Sequence, residues 1–413
     1  MILSLVSKNH LRAIAIYLTM ASATAIAAEK LQVFILSGQS NMVGHANSYL
    51  LANLMNSPRS EDAALAKLVI ADYQQTLKTV KPKIDALQRQ IDGLVESSKN
   101  TNDDESNAKV DALANEIRSL LESVRYNEGN KVRITAFGEV DRAKRATGIS
   151  GPLRPGYGAN AQKIGPEYGF GMAMESELDS PTLLIKVSWG GIDLDSGFRP
   201  PSSKKIGNEP KPSPAPGPKY QELIQQVHKV LSNLETHHPD YDPSAGYEIA
   251  GFFWFQGFND QFGDKPSRYK EHMANFICDI RSEFKTPDLP FVIGVIGTAA
   301  ISKKADYTNL SHAEAVELGK METADHAIAQ AQRETAALPE FSGTVMAVES
   351  YPYYDYAILP LYHVWKDRLS EWQNVGSDRP YHYLGSARFF ARFGHACGTS
   401  MIQLKKQTAN TRN

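Results

Sequence analysis

Apolar residues gather in five short runs: LQVFILSG (31–38), TLLIKVSW (182–189), YEIAGFFWFQG (247–257), LPFVIGVIG (289–297) and FSGTVMAVES (341–350). None shows clean period-two alternation, so each predicts a strand buried on both faces. Between them, YQELIQQVHKVLSNL and RYKEHMANFICDIRSEF place apolar positions at helical spacing. Buried strands separated by helices imply an α/β fold, a three-layer α/β/α sandwich with a parallel sheet of about five strands. Ligands of such sheets sit beyond the carboxyl ends of the strands, so the residues just after each run matter most.

Two segments depart from this pattern. From Tyr73 through Leu77, Val80, Ile84, Leu87, Ile91 and Leu94 the apolar spacing alternates between four and three, and Val110, Leu113, Ile117, Leu120 and Val124 repeat it. That is a heptad seam, and the polar SSKNTNDDESN between its halves predicts an antiparallel helical hairpin inserted at about 60–125. Pro82 is expected to kink or restart its first arm. The second segment, FRPPSSKKIGNEPKPSPAPGPKY, is a proline-stiffened loop, either a lining of the cleft or a solvated connector.

The first 28 residues put Lys8, His10 and Arg12 ahead of an apolar stretch and end in Ala25-Ile26-Ala27. This reads as a secretory signal peptide, followed by a domain over 29–405 and a polar tail at 406–413. The stretch is shorter than the roughly 20 residues of a membrane span. Formal net charge is −2, and removing Lys8 and Arg12 leaves 42 basic against 46 acidic residues, or −4. A nucleic-acid partner is therefore not expected. Export permits a Cys278–Cys397 disulfide, although Cys278 occupies an apolar helical position that suits a buried free thiol.

The strand ends carry chemically selective residues. Gly38-Gln39-Ser40-Asn41 comes after the first strand, Gly190-Gly191 after the second and Gln256-Gly257-Phe258-Asn259-Asp260 after the third, while Asp378 and His382 lie beyond the fifth. A serine hydroxyl becomes a nucleophile when an imidazole takes its proton and a third group orients that imidazole. Ser40, His382 and Asp378 are the candidates for those roles. Gly191, the Asn259 amide and the Ser40 N–H are candidate oxyanion donors, with Gly190 as an alternative to Gly191.

Gly38-Gln39-Ser40-Asn41-Met42, Lys186-Val187-Ser188-Trp189-Gly190-Gly191, Trp254-Phe255-Gln256-Gly257-Phe258-Asn259-Asp260 and the late His382 resemble the four motif blocks of the SGNH hydrolases. They resemble most the carbohydrate-esterase branch that includes sialate O-acetylesterases and acetyl xylan esterases. Gly165-Pro166-Glu167 and Gly169-Phe170-Gly171 also fit that branch, over residues 31–57 and 150–400. The resemblance implies a flavodoxin-like sheet, Ser40 as nucleophile, His382 as base, and Gly191 and Asn259 at the oxyanion. It departs from the family pattern at Arg379, where an acid three residues before the histidine is usual; Asp378 lies four before. Glu349 or a backbone carbonyl are the other possible orienters.

The expected activity is removal of O-acetyl groups from a carbohydrate by an exported enzyme without metal or organic cofactor. Gln39, Gln256 and Arg199 are expected to contact the substrate. A lipase or thioesterase of the same superfamily, and a non-catalytic carbohydrate-binding or scaffolding module, are the alternatives. The hairpin is a candidate cap, oligomer contact or partner-binding arm. His45, His363 and His395 read as structural or surface residues, Glu167 as a helix-start carboxylate, and His237-His238-Pro239-Asp240 as a solvated turn.

Overall fold

The computed structural model describes residues 29–57, 59–98, 104–139, 148–203, 215–297, 307 and 310–412. The leader 1–28, the centre of the hairpin's polar break and 204–214 of the proline-rich loop lie outside them. The five runs form strands β1 (Leu31–Gly38), β4 (Thr182–Ser188), β5 (Tyr247–Phe255), β6 (Phe291–Val295) and β7 (Val345–Glu349). The sheet has seven strands rather than about five, because β2 (Val132–Gly138) and β3 (Ile149–Pro152) extend one edge. The order is β3-β2-β4-β1-β5-β6-β7, parallel except for the antiparallel β3.

These two strands escape hydropathy reading for a local reason. β2 interrupts its apolar residues with Arg133 and Thr135, whose side chains bond the His237 carbonyl and the His237 ring. β3 is four residues long and carries Gly151 and Pro152.

Alternate side chains of β1 enter two cores. Phe34 and Leu36 join one with α4 (Pro166–Glu177) and α8 (Ala387–Arg412), whereas Val33 and Ile35 join another with α5 (Pro218–Leu231), α6 (Pro266–Glu283) and α7 (Ala327–Ala336). Helices thus cover both faces of a sheet whose interior strands are buried along most of their length, with Tyr247 and Glu248 exposed at the start of β5. Among the described residues no helix is long and apolar enough to cross a membrane. Helix α8 takes in most of the polar stretch at the end of the chain.

Helices α4 and α8 cross at backbone contact. A Cβ at Gly169 would lie 2.2 Å from the Ala391 carbonyl oxygen, and one at Gly394 would lie 2.1 Å from that of Pro166. Only glycine admits such an approach.

The heptad segments form α2 (Lys81–Ser98) and α3 (Asp104–Glu122), preceded by helices Ser60–Val69 and Tyr73–Thr79. Pro82 sits in the first turn of α2, where its missing N–H costs nothing, so it restarts the arm. Ile84, Ile91, Val110, Ile117 and Leu121 pack into the same core as Phe34. Asn374 donates to the Ala114 carbonyl at 2.7 Å and Arg118 to that of Ser370 at 3.3 Å, which ties α3 to the segment before the His382 loop.

Both cysteines are free thiols, Cys397 buried and Cys278 exposed. The reading of Cys278 as buried is corrected: on α6 the core face falls on Phe276, Ile277 and Ile280, and position 278 turns away from it.

Beneath β1 and β4 lies a buried ion pair. Lys186 Nζ donates to Glu167 Oε2 at 2.8 Å, to the Val43 carbonyl at 2.8 Å and to the Tyr157 carbonyl at 2.7 Å, while Glu167 Oε1 accepts the Gly165 N–H at 2.9 Å. Burial pushes the Lys186 ammonium down and Glu167 pulls it back. Breaking a buried pair strands the remaining charge, so Lys186→Met should destabilise the protein by about 3–5 kcal/mol. In urea unfolding, Lys186→Met/Glu167→Gln should recover much of that loss, since neither charge is then stranded.

Candidate active site

Strand β1 ends at Gly38, where a Cβ would lie 2.1 Å from the Phe255 carbonyl oxygen; this close approach lets the chain turn directly across the end of β5. The turn opens the short helix α1 (Ser40–Val43), with Ser40 at its first position and 9% exposed. Among the described residues Ser40 Oγ makes no hydrogen bond, and the N–H groups of Ser40 and Gly191 have no protein acceptor.

Gln39 braces this turn against the end of β5. Its buried Oε1 accepts from Gln256 Nε2 at 3.2 Å, the Gly257 N–H at 3.1 Å and the Asn259 N–H at 3.3 Å. Its Nε2 donates to Asn259 Oδ1 at 3.2 Å, which aims Asn259 Nδ2 at the Gly191 carbonyl 2.8 Å away. One N–H of that amide therefore remains. The Gly190 N–H is already taken by Glu139 Oε2 at 2.7 Å, which leaves Gly191 as the backbone donor of the pair.

Gln256 and Arg199 are buried like Gln39. Gln256 also donates to Asp260 at 2.6 Å and to the Ile192 carbonyl at 3.1 Å, and Arg199 to the carbonyls of Ser203 and Asp195. The polar groups of these three expected substrate ligands are turned into the fold. Asp260 accepts the Leu194 and Asp195 N–H groups as well, and burial pushes its carboxyl up to about 7 against those donors.

His382 rides on the turn Pro380–Gly385, in which Tyr383 and Leu384 both take left-handed φ values, 51° and 61°. Such residues cost about 1–3 kcal/mol each and persist only where the surroundings over-determine them. Here Tyr383 is buried, stacked 3.7 Å from Phe389, with its hydroxyl 2.8 Å from Ser350 Oγ and accepting the Gly297 N–H at 3.0 Å. Asn41 Nδ2 donates to the Tyr381 carbonyl at 3.1 Å, joining the Ser40 turn to the His382 turn.

The one-residue offset of Asp378 is taken up by this turn: its Oδ2 lies 3.2 Å from His382 Nδ1, off the line a hydrogen bond needs. Burial pushes the Asp378 carboxyl up, but His382, the Arg379 N–H and His45 outweigh it and hold it below the usual carboxylate range. Glu349, the alternative orienter, is paired with Arg333 instead.

His45 reads from sequence as a structural or surface residue, yet it stacks on His382 with ring centroids 4.3 Å apart and planes 2° from parallel. Its Nδ1 stands 3.6 Å from the same Asp378 oxygen. The only sequence signal is its place five residues after Ser40. The three side chains bring potential ligand atoms within 4.8 Å of one another, although two parallel imidazoles cannot both point in-plane lone pairs at one ion without rotating.

A second relay lies elsewhere. Ser203 Oγ is 2.9 Å from His272 Nδ1, and His272 Nε2 is 3.2 Å from Asp195, which is held by Arg268. Ser203 and His272 are buried, and Ser203 Oγ also accepts from Asn275. This set anchors the start of the proline-rich loop to α6.

A family model described as carbohydrate esterase, sialic acid-specific acetylesterase, matches residues 102–337, more than half of the chain. The chain belongs to this family. The matched span contains Gly191 and Asn259 and stops short of Ser40 and His382. It begins inside the helical hairpin and takes in 102–149, which lie outside the segments 31–57 and 150–400 that carry the motif resemblance, and it ends before their last part. No curated protein matches the chain.

Among solved structures, a protein from Arabidopsis thaliana shares 13% identity over 78% of this chain and 86% of that one, with a TM-score of 0.39. A carbohydrate acetylesterase from Xanthomonas citri shares 15% over 77% of this chain and 49% of its own, with a TM-score of 0.39. NanS shares 12% over 78% of each, with a TM-score of 0.37.

Burial and the neighbouring His382 push His45 down from 6.5 to about 4. As pH falls from about 6.5 to about 4, the unfolded chain gains a proton that folded His45 refuses, so stability is lost across that window. His45→Phe keeps the stack without the titration. Its denaturant midpoints should fall less over this range, by the equivalent of at most about 3 kcal/mol.

Proposed function

We propose that the protein is an exported serine esterase that hydrolyses O-acetyl esters on carbohydrates through an acetyl-serine intermediate. The observation that carries this reading is the meeting of three strand-end turns with the Pro380–Gly385 turn: an unbonded serine hydroxyl, a carboxylate-backed imidazole joined to the serine turn through Asn41, and donors with spare N–H groups on Gly191 and Asn259. Membership of a carbohydrate-esterase family supports it.

In this mechanism Ser40 Oγ attacks the acetyl carbonyl as His382 takes its proton, and Asp378 steadies the imidazolium. Charge on the carbonyl oxygen is met by the Ser40 N–H, the Gly191 N–H and Asn259 Nδ2. Each such donor is worth roughly 3–4 kcal/mol of barrier. His382 then protonates the departing sugar oxygen, and water attacks the acetyl-enzyme by the same route. The His382 imidazole tightens onto Ser40 and Asp378 once substrate is bound, as relays often do.

Acetate release from acetylated glycans should fall at least about 1,000-fold in Ser40→Ala. Ser203→Ala should lose less than about tenfold, because its relay is walled off from substrate. The reverse order, measured at equal folded fraction, would move the nucleophile to Ser203.

Gln39→Glu keeps the shape of Gln39 but sets a carboxylate against Asn259 Oδ1, which reverses or displaces the amide. Turnover should drop about 10- to 100-fold with little change in KM, read from initial rates on an acetyl ester. A change in KM alone would make Gln39 a ground-state ligand.

A further inference from the structure

One flank of His382 is aromatic and open. Tyr381 meets the His382 ring nearly edge-on at 4.6 Å, Phe258 lies 5.6 Å from Tyr381, and Phe262 lies 5.9 Å from Phe258, almost perpendicular to it. Phe262 is 55% exposed and Tyr381 43%. Of the large apolar side chains exposed among the described residues, these two belong to the chain of rings that reaches the candidate base, Tyr381 directly and Phe262 through Phe258 and Tyr381.

Their place in the chain ties them to the chemistry rather than to the core. Phe258 and Phe262 bracket Asn259 and Asp260 on the turn after β5, and Tyr381 directly precedes His382. Packing does not demand aromatic residues at such exposed positions, and they hold apolar surface in water.

We infer that the strip Phe262–Phe258–Tyr381 is the subsite for the alcohol part of the substrate, and that its occupant is an uncharged pyranose ring. The C–H face of a pyranose is apolar and weakly positive, which matches the negative face of an aromatic ring. A ring seated there sits beside His382, where its ester oxygen is to receive a proton. Lys265 is paired with Asp193, and Arg268 with Asp195 and Asp264, so these cations beside the turn are already matched by acids. Lys163 bonds the His45 carbonyl, on the part of the site where His45 rather than Tyr381 covers His382. Arg379, two residues before Tyr381, packs its guanidinium over the Trp365 ring at 4.8 Å, and Asp378 beside His382 would repel a sugar carboxylate on the strip. The orientation of the acetyl group rests on the esterase reading; the stacking itself does not.

The test uses full-length Ser40→Ala protein, which holds ligand without turning it over, titrated by calorimetry with xylotetraose and cellotetraose as neutral probes and N-acetylneuraminic acid as the anionic one. At least one neutral probe should bind, about tenfold more weakly in Ser40→Ala/Phe262→Ala and with affinity restored in Ser40→Ala/Phe262→Trp. Equal affinity in all three proteins, absence of neutral binding, or preferential Phe262-dependent binding of the anionic sugar would each overturn the assignment. Acetate release by the wild-type protein is scored separately. Phe262-dependent neutral binding by a protein that cleaves no ester supports the subsite while refuting the esterase reading.

Discussion

The buried Lys186–Glu167 pair is the constraint on which the candidate site rests. Lys186 belongs to β4, beside Leu36 of β1, and its three acceptors come from three places: the end of the Ser40 helix, the Tyr157 loop and the start of α4. No apolar residue can satisfy two backbone carbonyls and a carboxylate at once. A lysine in a run that otherwise reads as core is therefore the local cost of holding the Ser40 turn from below. Gln39 does the same from above, converting the spacing between β1 and β5 into the orientation of one amide, Asn259.

Strand-end motifs were legible because they are local: GQSN and GFND announce turns in which small residues and amides succeed a buried run. The central strands were legible for the same reason. The outlying strands β2 and β3 were not: β2 alternates apolar residues with Arg133 and Thr135, which bond His237, instead of forming a continuous apolar run, and β3 is only four residues long. Nor was His45, which meets His382 only because the chain returns more than 300 residues later. The left-handed pair Tyr383–Leu384 was equally hidden. Neither residue type favours that backbone, and only the stacked, doubly bonded Tyr383 shows why it is held there.

Two serine–histidine–aspartate sets in one chain show what distance alone leaves undecided. The Ser203 set has the better-made serine–histidine contact, and the Ser40 set has the unengaged hydroxyl. Accessibility and neighbouring donors separate them: Ser203 is walled by Asn275 and His272, whereas Ser40 faces spare N–H groups across the sheet edge. A well-satisfied buried relay behaves as a rivet, and a reactive one retains unmet hydrogen-bonding capacity.

The glycine crossing of α4 and α8 has a mechanical consequence. Helix α4 carries Glu167 and so belongs to the serine half of the site, while α8 begins five residues after His382 and belongs to the histidine half. With backbone seated on backbone at Gly169 and Gly394, the two halves cannot slide past one another without collision. The frame around the candidate site is stiff. Rotation about the Ser40 and His382 side-chain bonds is open within that frame, on the fast timescale of rotamers rather than the slow one of domain closure.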